Sequence, residues 1–221
     1  YKYDDFDGSD GNYTLKDGVP YHTSVNKSSI RPGDPKYADI NGDGVVNAND
    51  RTIIGRGQPI HTGGFNNTFT YGNFDLNIFM TWSYGNDILN ANRLVFEAGT
   101  VTNTNQQASY ANRWTTENPT SNIPRANANA MSFYSSRVVE DGSFLRLNSI
   151  SLGYQLPEKV VRRLGLGSVR VSVSANNIHT FTNYSGTDTE VSTRSSVLTP
   201  GFDWSAYPRA FGITAGIDIS F

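Results

Sequence analysis

Residues 62–84 read T-G-G-F-N-N-T-F-T-Y-G-N-F-D-L-N-I-F-M-T-W-S-Y, and two alternating arms stand out in them. In the first arm Phe65, Asn67, Phe69 and Tyr71 share one parity, interleaved with Gly64, Asn66, Thr68 and Thr70. The second arm sets Phe74, Leu76, Ile78, Met80, Trp82 and Tyr84 on one side, against Asp75, Asn77, Thr81 and Ser83. A period of two with aromatic and β-branched enrichment reads as strand, because successive side chains of an extended chain point to opposite faces. Only Gly72 and Asn73 separate the arms, a two-residue hairpin signal. At roughly 3.3 Å per residue and a tilt of about 45°, Phe74 to Tyr84 climbs about 25 Å, the height of the apolar band of a membrane barrel. This hairpin alone also suits a soluble β-sandwich.

The rest of the chain decides between them. Phe211, Ile213, Ala215, Ile217, Ile219 and Phe221 alternate with Gly212, Thr214, Gly216, Asp218 and Ser220, a further strand with one apolar face. Val169, Val171, Val173 and Ala175 alternate in the same way with Arg170, Ser172, Ser174 and Asn176. Leu145 and Leu147 are out of phase with Ile150, Leu152 and Tyr154, and one bulge near Asn148 and Ser149 restores all five to one face. Pro157 and Gly165 bracket a short helix over Glu158 to Leu164, and Leu89 to Ala98 is a second short helical candidate. The expected connections run two residues, then about sixty (85–142), about a dozen, and about twenty-five (182–208). Short turns alternating with long loops match barrels with short periplasmic turns and long extracellular loops.

Composition points the same way. The chain has 221 residues, 37% of them hydrophobic, 12% aromatic and only 17% charged, which suits strands with one wet and one apolar face. A net charge of −2 argues against a nucleic-acid partner held by phosphate contacts. With no cysteine, disulfides and thiolate metal sites are excluded. No apolar run approaches the roughly 20 residues of a membrane helix. The chain opens mid-pattern at Tyr1-Lys2-Tyr3 with no leader, as a piece of something longer.

One motif carries specific chemistry. Residues 39–50 fit the calcium loop D-x-[DN]-x-[DN]-G-x5-[DE], with side-chain oxygens from Asp39, Asn41, Asp43, Asn47 and Asp50 and the backbone carbonyl of Val45. Gly44, sixth in the loop, serves the sharp turn, and Asp50 reaches less far than the usual Glu. The expected cofactor is a structural Ca²⁺. An Asn/Asp/Gly turn without a metal is the plainer alternative. No nucleophile–base pair, phosphate loop or zinc motif is present, so no enzyme activity is expected. His22, His61 and His179 read as surface residues. Trp82 and Tyr84 read as interface aromatics, whereas Trp114, Trp204 and Tyr207 fall in outer loops where a ligand or partner contact is possible.

Several stretches together resemble one family. P-G-D-P-K-Y-A-D-I-N-G-D-G (32–44), N-D-R-T-I-I-G (49–55), F-N-N-T-F-T-Y-G-N-F-D-L (65–76), Y-G-N-D-I-L-N (84–90), R-W-T-T-E-N-P (113–119), D-G-S-F-L-R-L (141–147), S-L-G-Y-Q-L-P (151–157) and N-N-I-H-T-F-T-N-Y-S-G (176–186) resemble the C-terminal end of SusC/RagA-type TonB-dependent outer-membrane transporters. The resemblance implies an all-β fold, an antiparallel transmembrane barrel of about 22 strands of which this chain supplies about the last five. It implies residence in the bacterial outer membrane and import of glycans or oligopeptides. A SusD-like surface lipoprotein would cap the mouth, and a TonB complex would act through a plug and N-terminal parts that this sequence lacks. Residues 1–61 would hold a strand end and the calcium-loop segment, and residues 62–221 the strands and long outer loops. The alternative of another class is a secreted calcium-dependent binding module, dockerin-like or a β-sandwich. A dockerin needs a second copy of the loop, and a sandwich needs charge on its outer faces; neither is found.

Overall fold

Hydrogen bonding joins β3 (His61–Tyr71) to β4 (Phe74–Tyr84) across the two-residue turn, in a computed structural model that describes residues 1–9, 11–99, 105–126, 133–194 and 198–221. Ahead of them in the chain lie two short strands, β1 (Phe6–Asp7) and β2 (Thr14–Leu15). After them come β5 (Asp87–Asn90), helix α1 (Asn92–Phe96), β6 (Val139–Asp141), β7 (Phe144–Gln155), helix α2 (Glu158–Arg163), β8 (Ser168–Thr182), β9 (Phe202–Asp203) and β10 (Gly212–Ser220). The long strands form one antiparallel sheet of order β10-β8-β7-β4-β3. Gly72 sits at φ +57° while Asn73 does not share the left-handed region, the pattern of a type II′ turn whose twist matches paired strands.

Register places the side chains as the alternation demands. Phe65 lies opposite Met80, Phe69 opposite Leu76, and Tyr71 opposite Phe74. On the next pair Ile78 faces Ile150 and Met80 faces Leu147, so Asn148 is the extra residue and Leu145 to Tyr154 share one face as expected. Strand β8 answers with a wider irregularity between Asn176 and His179. There Asn177 adopts φ +52°, a conformation Asn tolerates better than most residues, and its side-chain amide donates to the carbonyl of Ala210 at 2.9 Å.

The sheet therefore has two unlike faces. The apolar one runs from Phe65 through Leu76, Leu152 and Val173 to Ile217, interrupted by Asn67 opposite Ile78, and among the described residues it stays uncovered: Phe65 is 50% exposed and Ile217 67%. A β-sandwich would bury this row beneath a second sheet, and among the described residues no sheet packs on it. The other face carries Thr68, Asp75, Asn77, Arg146, Ser151, Arg170, Ser174 and Thr214. Phe79, in phase with Asn77, breaks its polar run.

Two compact units make up the chain. One comprises residues 56–88 and 140–221, that is, the sheet and its connections; the other comprises residues 1–55 and 89–139. In the second unit β1 and β2 pair, and Phe6, Leu15 and Ile30 form a core against which Tyr13, Tyr21 and Val25 pack. The stretch 1–37, in which the sequence shows only a strand end and an irregular loop, is thus a folded element with its own interior. Its later half is tied in by buried ions. Glu97 accepts from Arg93 at 3.1 Å and Arg137 at 2.6 Å, and Asp34 accepts from Arg125 at 2.6 Å. The helical candidate at 89–98 shrinks to Asn92–Phe96, since Asp87–Asn90 is extended. Trp114, read as an outer-loop contact residue, packs instead over Gly33, whose φ of +87° and missing Cβ let the indole lie against the backbone. Parts of both long loops, residues 100–104, 127–132 and 195–197, lie outside the described residues.

Candidate functional site

Residues 39–50 form a tight oxygen-rich loop because each Asx side chain caps the backbone just ahead of it. Asp39 accepts from the N–H groups of Gly42 at 2.7 Å and Gly44 at 2.8 Å. Asn41 accepts from Asp43 N–H at 2.9 Å, and Asp43 from Val45 N–H at 3.0 Å. Gly42 and Gly44, at φ +76° and +88°, supply the left-handed turns that fold the loop on itself. Asp50 closes it from the far end, accepting from Ile40 at 2.9 Å and Asn47 at 2.7 Å. The N–H of Asn47 first, with those of Ile40 and Asn41, holds the Asp50 carboxyl below the usual carboxylate range, against a smaller opposing effect of burial. Asp39 also lies within hydrogen-bonding distance of Asp50.

All six expected oxygen donors thus sit in one loop. Among the described residues, no three acidic, His or Cys side chains converge as a metal set. The donor chemistry is nonetheless that of a hard cation: three carboxylates, two amide oxygens and one carbonyl, with no nitrogen or sulfur. Val46, eighth in the loop and buried, bonds Tyr21 and Thr23 through its backbone at 2.9 and 3.0 Å. The loop is thereby fastened to the segment whose Tyr21 packs on the Phe6–Leu15–Ile30 core.

The polar face of the sheet is the second candidate surface. Arg170 on β8 reaches across β7 to Asp75 on β4 at 2.7 Å. It passes over Gly153, where an added Cβ would come within 2.3 Å of the guanidinium, so a larger residue there would make the bridge shift. Further along β7 the buried Arg146 donates to Asp188 at 2.5 Å, to Glu190, and to Thr180 Oγ1 at 2.9 Å. Arg209 joins the same carboxylates at 2.9 and 3.0 Å. Burial by itself raises the Asp188 carboxyl. The N–H of Glu190 and the charges of Arg146 and Arg209 outweigh it and hold that group below the ordinary range.

The connection from β8 to β10 is therefore seated on the polar face rather than splayed away. Ile88, Tyr184 and Val191 form a small core with Ala206 beside it, and Tyr184 O–H donates to the buried Asp203 at 2.5 Å. Nothing in the sequence alone pairs Arg146 with residues more than forty positions away. The histidines have structural partners: His61 stacks on Tyr84 and accepts from Trp82 Nε1 at 3.2 Å, and His22 stacks on Phe133. Trp204 and Tyr207 stay exposed.

Comparison with known proteins agrees with both the motifs and the sheet. No family model matches the chain. It is 37% identical over 91% of its length to TonB-dependent receptor P3 of Formosa agariphila, and 26% identical over 86% to TonB-dependent receptor SusC of Bacteroides thetaiotaomicron. It spans about a fifth of those relatives, 20% and 18% of their lengths. Among solved structures, the RagAB peptide importer in its closed-closed state superposes on 85% of this chain, at a TM-score of 0.67 and 26% identity, with 21% of that chain covered. The exposed apolar face, the polar face behind it and these likenesses lead to one conclusion: the chain belongs, as a part, to the TonB-dependent receptors of the SusC/RagA type, which are proteins of the outer membrane.

Proposed function

We propose that this chain forms a section of the wall of an outer-membrane importer for oligopeptides or glycans. The importer is powered through the TonB complex and works with a SusD-like surface lipoprotein. One observation carries the reading: a sheet with one bare apolar face and one polar, ion-paired face fits a wall between lipid and an aqueous lumen. The RagAB relatives are peptide importers by name, which supports transport as the activity. The remaining strands of an approximately 22-stranded barrel, the plug and the TonB-contacting segment would come from the rest of the protein. Uptake of labelled oligopeptide and oligosaccharide pools by cells with and without the receptor tests this, with a TonB-deficient strain alongside. Uptake of at least one pool should be lost in both altered strains. Unchanged uptake of every pool without the receptor would overturn the proposal.

The same proposal includes one Ca²⁺ at residues 39–50, held by Asp39, Asn41, Asp43, Asn47, Asp50 and the Val45 carbonyl. Calcium there supplies positive charge that offsets three carboxylates drawn into one loop. Asp39 and Asp50, brought together with no cation between them, repel; the amide oxygens of Asn41 and Asn47 complete a shell without adding charge. Extracellular loops of this type bind with Kd of about 10⁻⁴–10⁻³ M, which makes the ion a standing brace rather than a switch. Since Val46 ties the loop to residues 21–23, the brace would act on the core around Phe6. Millimolar calcium should slow proteolysis between residues 36 and 55 of the full-length receptor. Asp39→Ala with Asp43→Ala should remove that protection. Equal proteolysis with calcium and with chelator in the unaltered protein would leave only a metal-free turn.

A further inference from the structure

We infer that helix α2, between β7 and β8, is an interfacial anchor that docks on phospholipid headgroups and holds their phosphates through Lys159 and Arg163. The inference rests on the reading that the apolar face of the sheet meets lipid.

Helix α2 follows β7 directly and so lies at the end of the sheet that carries the Gly72–Asn73 turn. There Gln155 N–H donates to the Asn73 carbonyl at 2.8 Å, and the rings of Phe74 and Tyr154 stand 4.5 Å apart. Those two rings, with the exposed Tyr71 and Phe221, form an aromatic rim on the apolar face at this end. Val169 belongs to the apolar row of β8, in phase with Val171 and Val173, yet it is buried where they are exposed. Helix α2 lies against β8, and its own Val161 is buried as well. The helix is thereby placed over the apolar end of that strand, on the side that meets lipid.

Its outer surface has two stripes. With Val161 turned inward, Val160 and Leu164, four residues apart, form an apolar stripe that is 45% and 62% exposed. Lys159 and Arg163, also four apart, form the stripe beside it. Arg162 is paired with Glu158 at 3.2 Å, whereas Lys159 and Arg163 have no ion-pair or hydrogen-bond partner among the described residues. Two apolar side chains beside two unpaired cations, just past an aromatic rim, suit the boundary between acyl chains and headgroups. The apolar pair enters the boundary, and the long basic side chains reach the phosphates. Short turns of such barrels face the periplasm, where the adjoining leaflet is phospholipid. An acidic protein surface would satisfy the cations too, but continuity with the lipid-facing row favours lipid.

The test places p-benzoylphenylalanine at Leu164 of the full-length receptor, with the same probe at Ile78 as reference, and irradiates native outer membranes. Mass spectrometry should find phospholipid adducts at both positions. Lys159→Gln with Arg163→Gln should lower the adduct at Leu164 by at least about threefold and leave that at Ile78 unchanged. Lys159→Arg with Arg163→Lys keeps both charges and should retain the parent yield. If the Leu164 probe prevents assembly, the probe at Val160 gives the same reading. Capture of protein, of lipid A or of nothing at Leu164, while Ile78 captures lipid, overturns the docking and leaves the lipid-facing sheet standing. A phospholipid adduct indifferent to the paired Gln change overturns the role of the two cations. No lipid at either position overturns both ideas.

Discussion

Ile78→Arg should lower the stability of the assembled barrel by roughly 2–4 kcal/mol, the cost of a cation at the middle of a lipid-facing strand. Ile78 is the fifth of eleven residues in β4 and is paired on both sides, opposite Asn67 and Ile150. Its neighbours on the face are Leu76, Met80 and Leu152, so an arginine there has no carboxylate within its own row. It would have to snorkel about half the apolar height to reach water. Asn77→Arg, one residue away on the opposite face, provides the contrast. That face already carries Arg170 and Asp75, and the change, which gives up the Asn77 amide's bonds to Asn66 Oδ1 and Thr68 Oγ1 at 2.9 Å, should cost no more than about 1 kcal/mol. Urea unfolding of the full-length receptor in lipid vesicles measures both. Equal, small effects at 77 and 78 would mean that the apolar face does not meet lipid.

That contrast depends on a feature the sequence displays openly. Strand periodicity is local, so Phe74 to Tyr84, Val169 to Asn176 and Phe211 to Phe221 declare their faces without reference to anything distant. Even the bulge is legible, because Leu147 and Ile150 cannot share a face unless one residue is skipped. The calcium-type loop is equally local, twelve consecutive residues with their own turn chemistry. Contacts between distant residues are another matter. Phe6, Leu15 and Ile30 show no period, since their core is built from turns and a two-residue ribbon. Residues 1–55 and 89–139 each look like loop when read alone, and their ion pairs join Asp34 to Arg125, ninety-one positions apart. Trp114 looked available because nothing nearby in sequence announces the Gly33 backbone beneath it. Phe79 sits in the polar phase, where a strict reading of alternation expects a polar side chain.

The Arg146 cluster was equally invisible, and its loss should have the largest local effect. Arg146→Met removes the guanidinium from a site only 3% exposed and leaves Asp188 and Glu190 facing each other. Stranding buried charge in this way costs about 3–5 kcal/mol where the partner is fully desolvated. Asp188, at 7% side-chain exposure but still paired with Arg209, only approaches that condition, and Glu190, at 40%, is screened by water and contributes less, so the cost falls below that range. Arg209 still reaches both acids, but from a half-exposed position. The effect falls on residues 183–209, because this cluster joins the connection to β7, and the β7–β8 ladder beneath it is independently hydrogen-bonded. Limited proteolysis of whole cells should therefore cut the variant within this connection at neutral pH, while the barrel keeps its heat-modifiable mobility. The acid response has a definite sign. The folded Asp188 carboxyl ionises below its unfolded value of about 3.9, so its stabilisation is complete above that pH and fades as pH falls through the lower folded value. The unaltered receptor should resist cleavage in this connection at pH 7 and pH 5 alike and lose protection only in stronger acid. Protection already lost at pH 5, or a variant as resistant as the parent, would show that something other than this ion cluster seats the connection on the wall.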